Sequence, residues 1–233
     1  MRIVLSGLAL AALTASLSAC GGPKDAAGPA AAPDAPAAST PAIRIPATAA
    51  DSLTVLCGPP FTPDATAASL MQVFGAKAVV PETRDGPEGE KINVTAIYPA
   101  DATMRVEVAF ANEEERTGLI SVTIRGDTSQ WTGPAGLNLG DGIDTVQKLN
   151  GGKGFKLSGF GWDHGGYVTD WQGGPLQEPV PRCRTVVRLG IPDDVTDTSI
   201  MGEGLHSSDE PAIRAARPFV QEIGIHWLNP HEP

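Results

Sequence analysis

The residues with the most chemical potential crowd into one stretch. It runs Ser158-Gly159-Phe160-Gly161-Trp162-Asp163-His164-Gly165-Gly166-Tyr167 and continues through Asp170-Trp171-Gln172-Gly173-Gly174. An acid beside a histidine suggests a general base. Two separated carboxylates, such as Asp163 and Asp170, suggest an envelope hydrolase or a carbohydrate-binding protein, if they stand about 5 to 9 Å apart. Neighbours on a strand point to opposite faces, so Asp163 and His164 are not expected to share a hydrogen bond. No G-x-S-x-G elbow accompanies them, and a nucleophile with an oriented base is what covalent hydrolysis requires. No catalytic residue is therefore assigned. The same stretch also reads as a binding surface made by Trp162, Tyr167 and Trp171. Aromatic rings bury much area, and glycines let another backbone approach. Period two would put Tyr167 and Trp171 on one strand face. The competing reading is a hairpin that turns at His164-Gly165-Gly166 and packs its rings into the core.

Other combinations are thinner. His164, His206, His226 and His231 are scattered, without H-E-x-x-H or a Cys/His cluster at ligand spacing. Asp193, Asp194, Asp197 and Glu203 lack the alternating pattern of an EF-hand loop. Gly152-Lys153-Gly154 lacks the spacing and hydroxyl of a phosphate-binding loop. No metal and no cofactor is expected.

Periodicity gives the secondary structure around these residues. Ile92, Val94, Ala96 and Tyr98 alternate with polar neighbours, as do Met104, Val106, Val108 and Phe110 and then Ile120, Val122 and Ile124. Alternation with β-branched residues marks half-buried strands, and three in succession read as an antiparallel meander. Before them, Thr62-Pro63 and Gly75 frame a short amphipathic helix carrying Ala67, Leu70 and Val73. The same apolar spacing returns 76 residues later at Ile143, Val146 and Leu149, with Gly151 opposite Gly75. Further strands are expected near Phe155–Leu157, Tyr167–Trp171, Arg184–Ile191 and Phe219–Trp227, the last two separated by an insertion over 192–218. That insertion holds a helix opened by Ser208 or Asp209. The expected class is α+β. Two tandem units, 51–135 and 136–233, would each be a short helix plus about four antiparallel strands. This pattern resembles the tandem architecture of the β-lactamase inhibitory proteins and the single unit of the small lipoproteins of barrel-assembly machineries. No functional residue carries over from either.

The N-terminus addresses the chain. Arg2 precedes an apolar run from Ile3 to Leu17, too short for a stable transmembrane helix. It ends in Leu17-Ser18-Ala19-Cys20, which resembles the lipobox of bacterial lipoproteins. The resemblance implies a signal peptide over 1–19 and lipidation of Cys20, the chain's link to membrane lipid. Gly21 in place of an aspartate implies an outer-membrane, periplasm-facing location. The string G-F-G-W-D-x-G-G-x-V is also similar to segments of other bacterial lipoproteins and implies no activity. Residues 20–50, dominated by Ala and Pro, cannot bury enough surface to offset chain entropy and read as a disordered linker.

A net charge of −10 argues against nucleic acid and against electrostatic attraction to anionic lipid. With Cys20 acylated, Cys57 and Cys183 remain in an oxidising compartment and are expected to form a disulfide. Two functional classes result: a non-enzymatic module for an envelope protein partner or for envelope assembly, or the hydrolase or carbohydrate binder named above. For the anchor, Cys20→Ser should abolish incorporation of labelled fatty acid and release the protein from membranes. Labelled lipid still co-purifying with the variant would refute the lipobox.

Overall fold

The structure is a computed structural model that describes residues 53–228. The expected signal peptide and linker, Cys20 and His231 lie outside the described residues. Its main element is a six-stranded antiparallel sheet in the order β1-β2-β3-β4-β9-β7. These strands are β1 (Val79–Asp85), β2 (Lys91–Ile97), β3 (Val106–Asn112), β4 (Thr117–Arg125), β7 (Cys183–Gly190) and β9 (Phe219–Trp227). A small antiparallel sheet joins β6 (Val168–Asp170), β5 (Lys156–Ser158) and β8 (Leu205–Ser207) in that order. Three short helices complete the fold: α1 (Ala67–Phe74), α2 (Ile143–Leu149) and α3 (Pro211–Ala215).

The α+β class is as expected, but the two equal tandem units are not present. The final strand β9 pairs with β4 along one edge and β7 along the other, so both halves of the chain share one sheet. Ser121 to Arg125 face His226 to Glu222 in register, and Val187 on the far side faces Ile223. A shared sheet leaves no apolar strand edge on β4 and gives both halves one core. The helical signals 76 residues apart are real helices, α1 and α2. A meander comes after α1, whereas the strands after α2 are divided between the two sheets.

Local chemistry explains the helix limits. α1 begins at Ala67, four residues after Pro63, because Thr66 and Ser69 cap one another: Ser69 N donates to Thr66 Oγ1 at 3.0 Å and Thr66 N donates to Ser69 Oγ at 2.9 Å. This reciprocal box satisfies two otherwise orphaned N–H groups. Thr62 serves a preceding turn, accepting from Ala65 N. α3 starts at Pro211, not at Ser208 or Asp209, because the Ser208 hydroxyl is spent on Phe155 N at 2.9 Å.

One face of the large sheet is apolar. Ile97, Val106, Val108, Val122, Ile124, Ile223 and Ile225 are buried there with Leu70 and Phe74 of α1. Phe61, Phe74 and Trp131 form an aromatic knot with ring centroids 5.9 to 6.3 Å apart, Phe61 stacked on Phe74 and Trp131 tilted edge-on to both, geometries such rings prefer. Gly224 is obligatory in β9, since a Cβ there would stand 2.5 Å from Val122 O. Cys57 and Cys183 are disulfide-bonded across 126 residues of sequence and tie the first described segment to the start of β7. Closing a loop of that length removes about 4–5 kcal/mol of unfolded-state entropy in the chain model. No helix among the described residues is long and apolar enough to cross a membrane.

Trp171 corrects the exposed-surface reading for one of its three members. It is 4% exposed, packs on Phe155 with centroids 5.4 Å apart, and donates Nε1–H to Thr185 O at 3.2 Å. The alternation argument fails because β6 covers only Val168–Asp170, so Tyr167 and Trp171 flank the strand rather than share a face of it. Trp171→Ala should therefore cost about 3–5 kcal/mol, the range for a buried large side chain. Chemical denaturation at constant m-value measures this, and a loss below about 1 kcal/mol would contradict a core role.

Candidate functional site

The face of the large sheet opposite the core is ionic, and its order comes from strand register. Arg125 on β4 lies across from Glu222 on β9, which lies across from Arg188 on β7. From β1 come Glu82 and Arg84, from β3 Glu107, and from the residue just before β3 Arg105. These groups form a chain. Arg105 bonds Glu82 at 2.7 Å and Glu107 at 3.0 Å, and Arg125 contacts Glu107 at 3.3 Å and Glu222 at 2.8 Å. Arg84 Nε stands 3.1 Å from Glu107 Oε2, an ionic contact whose angle does not make a hydrogen bond. The Glu222 carboxylate is completed by Tyr167 Oη–H, which donates to Oε1 at 3.2 Å. Glu222 is only 7% exposed, and these two partners satisfy its buried carboxylate oxygens.

The titrations reflect this packing. Burial opposes the charge on Arg125, but Glu222 and then Glu107 outweigh it and hold its pKa above the ordinary arginine value. Tyr167 is raised above its ordinary 10.0, first by burial and then by the Glu222 charge, against the opposing pull of Arg125 and Arg188.

A loop from Phe160 to Gly166 stands over this face. Its shape is built from inside: Trp162 Nε1–H donates to Gly159 O at 3.0 Å, and Gly165 N donates to Trp162 O at 2.9 Å. Gly166 has φ +80°, and a Cβ on it would lie 2.0 Å from Leu189 O. Only glycine permits this approach, which sets Tyr167 against Arg188. The tip of the loop reaches the β1–β2 turn, where Glu88 N donates to Asp163 Oδ2 at 3.1 Å. Beneath lies a cleft of about 940 Å³, lined by Arg84, Arg125, Arg188, Trp162, Tyr167, Phe219 and Glu222 among others.

The residues singled out by sequence are thus divided. Trp162, Tyr167, Asp163 and His164 line the cleft, with the Trp162 and His164 rings edge to face at 5.4 Å. Asp170 is not among the lining residues; it accepts from Gln172 N at 2.7 Å in its own turn. The acid pair Asp163 and Asp170 is therefore not gathered at one site. Ser158 donates to His164 O at 2.7 Å and accepts from Tyr167 N at 3.1 Å, which makes it a structural brace. His206 pairs with Glu210 at 2.9 Å, Asp194 binds Arg217, and Asp197 caps Ser199 N. Among the described residues no group of three or more His, Cys, Asp or Glu side chains is placed to hold a metal ion.

The ionic row was missed as a unit. Its signal was the wet face of the alternation, where Arg105, Glu107 and Arg125 fall on consecutive strands. β1 itself escaped notice because Pro81 interrupts its pattern, a residue tolerated there because β1 is an edge strand. No family model, curated protein or solved structure matches the chain.

Tyr167 supplies a spectroscopic check. The chain has two tyrosines, so Tyr98→Phe isolates it in an ultraviolet absorbance titration. Its midpoint should lie above 10.0 and fall when Glu222→Gln removes the neighbouring charge. Because the folded pKa is raised, its contribution to stability is complete below pH 10.0 and is lost as pH rises through the folded value. A midpoint at or below 10.0 would contradict the buried Tyr167–Glu222 contact.

Proposed function

We infer that this chain is a lipid-anchored, non-catalytic binding module of the bacterial envelope, facing the periplasm from the outer membrane, with its ligand site in the cleft over the ionic sheet face. The observation that carries the reading is the pairing of a concave, aromatic-edged cleft with side chains whose reactive groups are already committed. Small-molecule sites occupy about 300–1,000 Å³ and mix apolar walls with a few fixed polar groups, which describes this cleft. Ser158, the hydroxyl a hydrolytic mechanism would recruit, is bound to backbone atoms on both sides, and one Asp163 oxygen accepts from Glu88 N in the β1–β2 turn. A broad protein interface has less support. Leu56 and Leu205, at 48% and 69% exposure, are the large apolar side chains left exposed among the described residues. Interfaces draw their energy from clustered buried anchors, which scattered leucines do not supply.

The two loops that roof the cleft touch through the Glu88–Asp163 hydrogen bond, and one such bond contributes about 1 kcal/mol net. Separation of the loops is therefore cheap, and ligand entry needs no rearrangement of the sheet.

Native mass spectrometry tests the reading. The chain exposed to a low-molecular-weight extract of bacterial envelope should gain a bound, chemically unchanged mass. Asp127→Trp, a bulky ring at an exposed position on the cleft wall, should lose that mass with its thermal midpoint preserved. No bound mass in the unmodified chain, equal loading of the variant, or conversion of the bound compound to a product would each overturn the proposal.

A further inference from the structure

The ionic row under the cleft contains one arginine more than it has glutamates, while Asp85, Asp127 and Asp163 also line the cleft. Glu82, Glu107 and Glu222 stand among Arg84, Arg105, Arg125 and Arg188, and all their ionic contacts go to the first three arginines. Arg188 is held by neutral groups instead. Its Nε donates to Gly165 O at 2.8 Å, and its guanidinium carbon lies 5.3 Å from the centroid of the Tyr167 ring. Among the described residues neither Nη atom has a protein partner, and the side chain lines the cleft.

A guanidinium pinned through Nε and over one ring face has lost most of its freedom before any ligand arrives. The two remaining nitrogens form a planar fork that matches a carboxylate or phosphate in a bidentate grip. Preorganisation of this kind lowers the entropic cost of binding. The walls select between those anions. Asp127 lines the cleft, as does Asp163, whose Oδ2 is taken by Glu88 N and whose Oδ1 remains. A second negative charge on the ligand would face these carboxylates, whereas hydroxyl groups would find acceptors in them. Trp162 adds a ring edge, held by its own Nε1–H bond to Gly159 O.

We propose that the cleft binds a monocarboxylated saccharide of the uronic-acid type, its carboxylate gripped by the Nη atoms of Arg188 and its hydroxyls by the wall acids. This rests on the reading of the cleft as a ligand site. Arg188 is a specificity-determining residue, and the sugar ring lies between it and Trp162.

Calorimetric titration of the full chain, disulfide intact, with sodium glucuronate, glucose and inorganic phosphate tests the assignment. Glucuronate should saturate, and glucose should bind about tenfold or more weakly, the least a bidentate charge-assisted contact contributes. Phosphate should also bind more weakly than glucuronate. Arg188→Gln should reduce glucuronate to the level of glucose, and Arg188→Lys should recover part of the loss, because an ammonium offers a charge without the fork. Glucose equal to glucuronate in the unmodified chain, or phosphate tighter than glucuronate, overturns the proposal without reference to any variant. If all three probes fail while the envelope-derived mass still loads the chain and not Asp127→Trp, the ligand class is wrong and the cleft remains a ligand site. Glucuronate bound equally by Asp127→Trp would place the sugar elsewhere and defeat both readings.

Discussion

Strand β9 carries hydrogen bonds on both edges, to β4 over Ser121–Arg125 and to β7 over Cys183–Gly190, and this double pairing holds the two halves of the chain together. Contacts between residues about a hundred positions apart close long loops, so their entropy must be offset by many groups at once. Here the offset comes from a continuous apolar face on one side of β9, through Ile223 and Ile225, and an ionic face on the other, through Glu222. The Cys57–Cys183 bond reinforces the same join, fastening the first described segment at the start of β7, where Cys183 pairs with Trp227. Trp227 Nε1–H adds a bond to Phe61 O at 2.8 Å, so both ends of the described chain meet there.

The ionic face is an arrangement that works only as a set. Taking a carboxylate such as Glu222 out of water costs several kcal/mol unless it is paired and hydrogen-bonded, and removing one partner of such a pair typically costs about 3–5 kcal/mol. Glu222 has a guanidinium on one oxygen and a phenol on the other, and Glu107 bridges Arg84 of β1, Arg125 of β4 and Arg105 just before its own strand. Each charge is therefore positioned by two or more strands, and the row is as rigid as the sheet beneath it. Rigid elements make more precise sites than loops do, because side-chain positions are fixed by packing.

The loop above supplies what the sheet cannot. Its glycines let the backbone pass within reach of β7, with Leu189 N donating to Gly166 O at 2.8 Å, and so bring Tyr167 over the ionic row. The aromatic, glycine-rich composition of this stretch thus has two uses. Trp171 stabilises the small sheet from inside, and Trp162 and Tyr167 edge the cleft.

The α+β class, seven of the nine strands, all three helices to within a few residues and the Cys57–Cys183 pair were legible in sequence, because they depend on local periodicity, capping chemistry and a count of thiols. β1 and β8 were not, since one contains a proline and the other spans three residues without alternation. The tandem arrangement was misread for a different reason. Periodicity reports which face of a strand is buried and says nothing about which strand lies beside it, so the insertion of β9 between β4 and β7 was beyond it. The same limit applies to the site. The charges of Arg84, Arg105, Glu107, Arg125, Arg188 and Glu222 are written in the chain, but their convergence requires a register that spans residues 82 to 222. The order of residues specifies the kinds of elements and their buried faces, which arise from interactions a few positions apart. The packed fold makes Trp171 core, leaves Asp170 out of the cleft that Asp163 lines, and gives Arg188 no carboxylate partner among the described residues, because each outcome depends on which strands become neighbours.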